Sequence, residues 1–143
     1  MKSIDFEKPT PPSVYYMKQT ISNACGTVAM LHSVANCLDC IDLDEGILKE
    51  FLEKTKDATP EEKAKQLEDS SAVCDVHDTI AKQGQTAAPS LEEHVDYHFI
   101  TFVEKEGILY NLDGRKPAPV NCGTTCKETY LSDVAKQCKS YME

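Results

Sequence analysis

The stretch Gln19-Thr20-Ile21-Ser22-Asn23-Ala24-Cys25-Gly26-Thr27 runs directly into an apolar-periodic segment from Val28 to Leu38. It reads as a loop that delivers a cysteine to the first turn of a buried helix. A thiol placed there meets the open N–H groups and the positive end of the helix dipole, both of which favour thiolate over thiol. Six positions upstream, Gln19 offers a neutral amide donor that can fold back towards the same point and stabilise an oxyanion. The bland alternative is a small buried hydrophobe, the usual state of a free cysteine.

Working outward, residues 1–12 are polar and end in Pro9-Thr10-Pro11-Pro12, which excludes helix and implies an extended lead-in. Ser13 to Met17, rich in β-branched and aromatic residues, reads as a short extended piece docked on the core. In the helix after Cys25, Val28, Leu31, Val34, Ala35 and Leu38 fall at helical spacing, and Ala29 and Met30 add apolar surface elsewhere, so it is expected to be covered nearly all round. Asp42 or Asp44 can cap a second helix with Ile47, Leu48, Phe51 and Leu52 on one face. Thr59-Pro60-Glu61-Glu62 starts a third with an N-cap, a proline at the first helical position and a capping-box glutamate. That helix should reach about Asp69, with a further short one over 71–82.

The segment 83–93 lacks periodicity and is small and polar, which marks a surface loop. The period then changes to two. Tyr97 to Val103 and Ile108 to Leu112 flank Glu104-Lys105-Glu106-Gly107 and read as a β-hairpin. An extended Pro117 to Val120 follows, and Cys122-Gly123-Thr124-Thr125 is expected to lead into a last helix presenting Leu131, Val134, Ala135, Cys138 and Tyr141 on one face.

With a hairpin turn near residue 105 or 106, His98 and Asp113 come roughly opposite each other. A carboxylate beside an imidazole fixes its tautomer and stabilises the imidazolium formed when it takes a thiol proton. Taken singly, a strand histidine is more often structural and Asp-Gly more often a turn. The pair Cys37 and Cys40 has redox or zinc spacing but stands alone and follows a helix instead of opening one, so no metal or cofactor is expected. His32, within the first helix, reads as structural.

The length of 143 residues bounds the chain to one domain, 1–143. A formal charge of −9 argues against nucleic acid, and no apolar run is long enough to span a membrane. Seven cysteines behind an N-terminus without a signal-peptide pattern imply reduced thiols and a cytoplasmic setting.

Three motifs in order go beyond general chemistry: Gln19 to Thr27 followed by His32-Ser33-Val34-Ala35-Asn36; Val95-Asp96-Tyr97-His98-Phe99-Ile100; and Leu109-Tyr110-Asn111-Leu112-Asp113-Gly114-Arg115-Lys116-Pro117. Together they closely resemble the ubiquitin C-terminal hydrolases, from about Ser13 to Glu143. The resemblance implies an α/β (α+β), papain-like cysteine proteinase fold, with a central antiparallel sheet flanked by helices. It implies Cys25 as nucleophile, His98 as general base and acid, Asp113 as the residue orienting His98, and Gln19 as the oxyanion-hole donor. The substrate implied is the carbonyl after ubiquitin's C-terminal glycine, cleaved through a cysteine thioester. Gly84, Gln85, Thr86, Ala87, Ala88 and Pro89 match the segment that crosses the active site and limits the leaving group. The partner expected is ubiquitin or a ubiquitin-like modifier, bound by a monomer. Against the family pattern the chain starts late and stops early, so N- and C-terminal strands are expected to be missing. A catalytically impaired ubiquitin-binding protein of the same family is the alternative reading.

Overall fold

A computed structural model describes residues 11–21, 24–75, 83 and 98–143. The lead-in up to residue 10, the part of the expected 71–82 helix beyond residue 75, the Gly84 to Pro89 loop and the expected start of the hairpin at Tyr97 lie outside the described residues. The elements are α1 (Cys25–Ala35), α2 (Ile47–Thr55), α3 (Pro60–Glu68), β1 (Thr101–Lys105), β2 (Ile108–Leu112), β3 (Val120–Thr124) and α4 (Tyr130–Met142). The strands form one antiparallel sheet in the order β1-β2-β3.

The segment 14–19 has no regular secondary structure, yet it sits between the two halves of the core. Its side chains alternate. Tyr15 and Met17 enter a helical cluster with Val28, Leu31, Phe51, Leu52 and Leu67, whereas Val14 and Tyr16 enter a sheet-side cluster with Val103, Tyr110 and Leu112. Extended backbone sends successive side chains to opposite faces, so one short piece can glue two layers. Its polar groups find partners on neighbouring elements. The Asn36 amide accepts from Tyr15 N–H at 2.8 Å and donates to the Tyr15 carbonyl at 2.9 Å, pairing with it as a neighbouring strand would. The Met17 N–H donates to His32 Nε2 at 3.1 Å, Lys18 N–H to the Pro60 carbonyl at 3.2 Å, and Gln19 N–H to the Gly114 carbonyl at 2.8 Å.

Helix α3 forms as its sequence specifies. Thr59 Oγ1 accepts from Glu62 N–H, and the Glu62 carboxylate accepts from Thr59 N–H, the reciprocal capping box behind Pro60. In α2 Phe51, Leu52 and Thr55 are buried, but the N-cap is Gly46 without a side-chain bond, so neither Asp42 nor Asp44 caps it. Helix α1 fully buries one side only, that of Cys25, Val28, Leu31 and His32, where cover nearly all round was expected. Met30 is half-exposed, and Leu38 lies outside the helix, whose C-cap is Asn36.

The hairpin pairs Thr101 with Leu112 and Val103 with Tyr110, so each residue faces a partner two positions further along than expected. The reason is its two-residue turn. Glu106 and Gly107 have φ of 53° and 78°, both left-handed, the geometry whose twist matches the flanking strands. Gly107 takes that conformation at no steric cost, and its N–H is held by the Glu104 carboxylate at 2.8 Å. Of Cys122 to Thr125, read from sequence as a lead into the last helix, Cys122, Gly123 and Thr124 instead belong to β3 and pair with β2. The expected apolar face of α4 is also corrected: no residue of that helix is buried, and Leu131 is 79% exposed. Polar ties hold it, from Tyr130 Oη to the Phe102 carbonyl, from Asn111 Nδ2 to Tyr141 Oη, and from Thr125 Oγ1 to Asp133.

Candidate active site

Cys25 is the first residue of α1 and is buried. The N-cap is Ala24, which has no side-chain oxygen to cap the helix, and the first turn contains no acidic residue. The positive end of the dipole is therefore left for whatever anion forms at that turn. Phe99 lies over the same end, since a carbon built on Gly26 would come 3.9 Å from its ring. A further tie, from Thr101 Oγ1 to the Ala29 carbonyl at 2.8 Å, fastens the beginning of β1 to α1.

His98 lies three residues before β1, not within it, and Asp113 immediately follows β2. In the observed register they are not direct cross-strand partners. They meet beyond the ladder, where side chains can lean towards each other, and His98 Nε2 lies 2.6 Å from Asp113 Oδ1. Both side chains are largely buried, at 17% and 13% exposure, so the pair is shielded from water. Burial alone would push the Asp113 carboxyl up. The hydrogen bonds from His98 and the Arg115 N–H, together with the attraction of His98 and Lys116, outweigh it and hold the carboxyl below its ordinary range. With Nε2 engaged, the other ring nitrogen of His98, Nδ1, is buried and has no hydrogen-bond partner among the described residues.

Gln19 stands where the 14–19 segment ends. Its amide Nε2 donates to the Ile21 carbonyl at 3.1 Å, and its backbone N–H is bound by the carbonyl of the residue next to Asp113. The structure thus joins His98 directly to Asp113 and joins Gln19 to the same turn through the backbone, with Cys25 at the head of α1. The six proposed gate residues, Gly84 to Pro89, lie outside the described residues.

Two residues support the 14–19 segment: His32, expected to be structural, and Asn36, whose contact was not foreseen. His32, with no exposed surface, accepts from Met17 N–H and stacks on Tyr16 at 5.3 Å between ring centroids. Burial drives its pKa down to about 4, against the opposing hydrogen bond from the Met17 N–H. It is neutral at physiological pH and acts as an acceptor. Asn36, one turn later on α1, binds Tyr15. A polar pair four residues apart on an apolar helix was the available clue.

Among the described residues no three His, Cys, Asp or Glu side chains group in a way that could hold a metal ion. All seven cysteines are free; Cys37, Cys40, Cys126 and Cys138 are exposed. No helix among the described residues is long and apolar enough to cross a membrane.

A cysteine at a helix head, a carboxylate-bound imidazole and a nearby amide are the parts of a thiol-dependent acyl-transfer site. The family model of ubiquitin carboxyl-terminal hydrolase, family 1, matches residues 2–143, and the chain belongs to that family. It is 47% identical over 138 residues to a ubiquitin carboxyl-terminal hydrolase of Drosophila melanogaster, covering 96% of this chain and 60% of the fly protein. To isozyme L1 of Homo sapiens it is 44% identical over 133 residues, covering 92% of this chain and 58% of the human protein. Among solved structures it is similar to the catalytic domain of Trichinella spiralis UCH37 bound to ubiquitin vinyl methyl ester. The TM-score there is 0.70 at 27% identity, over 94% of this chain and 60% of that one. The architecture is accordingly the papain-like α/β fold. The chain spans about 60% of the length of these relatives.

Proposed function

We propose that this chain is a deubiquitinating thiol hydrolase that cleaves the bond after the C-terminal glycine of ubiquitin. The observation that carries the reading is the buried bond between His98 Nε2 and Asp113, which leaves Nδ1 to serve a thiol at the head of α1. In the proposed reaction His98 Nδ1 takes the proton of Cys25, and Asp113 stabilises the imidazolium without itself being protonated. The thiolate adds to the glycine carbonyl. The oxyanion is met by the Gln19 amide and by the positive end of α1. Collapse expels the leaving amine, thiol or alcohol with the proton from His98 and leaves a thioester on Cys25. Water, deprotonated by His98, then attacks the thioester and releases ubiquitin with a free carboxylate and the Cys25 thiol.

Ubiquitin as partner is supported by the bound ubiquitin derivative in the Trichinella protein, and its basic tail suits a chain of formal charge −9 as electrostatic steering. Gly84 to Pro89 are proposed to limit the leaving group to small amines, thiols, esters or short peptides. A cytoplasmic, monomeric enzyme of the ubiquitin-dependent catabolic pathway fits seven free thiols, which persist in a reducing compartment.

The test is hydrolysis of ubiquitin carrying a fluorogenic C-terminal leaving group by this chain and by Cys25→Ala. Turnover should disappear in the variant while ubiquitin binding persists. Turnover that survives the substitution would remove Cys25 from the mechanism. Binding without turnover in the parent would instead select a catalytically impaired ubiquitin-binding protein.

A further inference from the structure

The turn after β2 touches both halves of the candidate site. At its start Asp113 holds His98, and one residue later the Gly114 carbonyl accepts the Gln19 N–H at 2.8 Å. Gly114 is buried. A side-chain carbon built there would stand 2.9 Å from Gln19 Cβ, 3.1 Å from Gln19 N and 3.2 Å from a Val28 methyl. The first two of those atoms belong to, or are rigidly fixed on, the main chain, so they cannot swing aside as the end of a long side chain would. Gly114 is not among the residues with positive φ. A left-handed backbone is therefore not what calls for glycine here; the space is. A second tie closes the same contact: Tyr16, three residues before Gln19, donates its hydroxyl to the Asp113 carbonyl at 2.9 Å and lies against that of Lys116.

We infer that Gly114 is a positioning residue: its missing side chain lets the 14–19 segment close on the Asp113 turn. That one turn then fixes the place of the Gln19 amide and of the carboxylate that orients His98. The inference deepens the proposed mechanism and rests on the role given there to Gln19. In Gly114→Ala the new methyl pushes Gln19 outward by several tenths of an ångström and breaks its backbone bond to residue 114. Because Gly114 is buried, the methyl adds no surface for a substrate to meet. The loss should fall on kcat, about tenfold, with KM changed less than about twofold, as for a misplaced oxyanion donor.

The experiment uses the full chain in parent, Gly114→Ala, Gln19→Ala and double-variant forms. Amide hydrogen exchange read by NMR should show the Gln19 N–H at least about tenfold faster in Gly114→Ala, with the Tyr110 amide of β2 unchanged. In turnover, Gly114→Ala should cost about tenfold in the Gln19 background and under about twofold once Gln19 is alanine, because the donor it displaces is already absent. Unchanged Gln19 exchange, or equal losses in both backgrounds, would overturn the inference. A parent that never turns over defeats the proposed function instead, and the exchange measurement alone then decides the place of Gly114. If Gly114→Ala does not fold, Gln19→Gly removes the atom at 2.9 Å. Gly114→Ala should then regain a cooperative melting transition beside Gln19→Gly but not beside Gln19→Ala, which keeps Cβ. The same outcome in both backgrounds overturns the inference.

Discussion

The segment 14–19 and helix α4 make opposite use of the chain. The segment has no regular backbone pattern, yet Val14, Tyr15, Tyr16 and Met17 are all at most 8% exposed, and its amides bond to four different parts of the molecule. Helix α4 has 13 residues of regular backbone and none buried. Regularity satisfies a backbone locally; it says nothing of what a segment packs against. The proposed site depends on the irregular piece, whose last residue is the proposed donor Gln19, and on the Asp113 turn it docks against. The contrast teaches that anchoring by side chains of distant elements can fix a position more firmly than membership of a helix.

The sharpest way to break that contrast is Asn36→Ala. It strands the Tyr15 N–H and carbonyl in the core, and each buried orphan costs about 2 kcal/mol. Urea denaturation should show a loss of about 4 kcal/mol. A loss near that of a surface substitution would place the segment on a par with α4.

Acid should loosen the same region. The pKa of His32 falls to about 4 in the fold, below the ordinary histidine value, so the unfolded chain binds the proton more readily. Stability is thus intact above about pH 6.5 and declines as pH falls towards 4, by about 3 kcal/mol over that window. Asp113, depressed below its ordinary value, adds its own loss only at lower pH. Melting temperatures from pH 7.5 to 4 should fall more steeply in the parent than in His32→Gln. Parallel slopes would show that another group carries the acid sensitivity.

A purely local change should act on a smaller scale. Glu106 holds a φ of 53°, which costs an ordinary L-residue about 1 kcal/mol and asparagine less. Glu106→Asn should therefore stabilise by somewhat under 1 kcal/mol, measurable as a higher urea midpoint with an unchanged slope. The smallest effect belongs to α4: Leu131→Ser should alter stability by less than about 0.5 kcal/mol in the same assay. A large loss there would mean that the exposed helix face is covered in solution.

Signals that act over three or four residues were legible without coordinates. Thr59-Pro60-Glu61-Glu62 specified the start of α3, and the apolar period after Cys25 put that thiol at a helix head. The hairpin and the meeting of His98 with Asp113 were legible as well, since alternation in two strands leaves few pairings. The register was missed by two residues because Glu106 in a left-handed turn gives no compositional warning. Strand β3 was hidden because Gly123 and the flanking polar residues resemble a loop until β2 offers an edge.

The sequence by itself determined which chemical groups the proposed site draws on and which local elements carry them, because caps, turns and hydrophobic period are energies of neighbouring residues. Only the tertiary structure decided how those groups are held. The Asn36 amide meets Tyr15 across 21 residues, and Gln19 closes on Gly114 through a gap that a single methyl would fill. Such contacts depend on the packing of whole layers, and no local pattern encodes them.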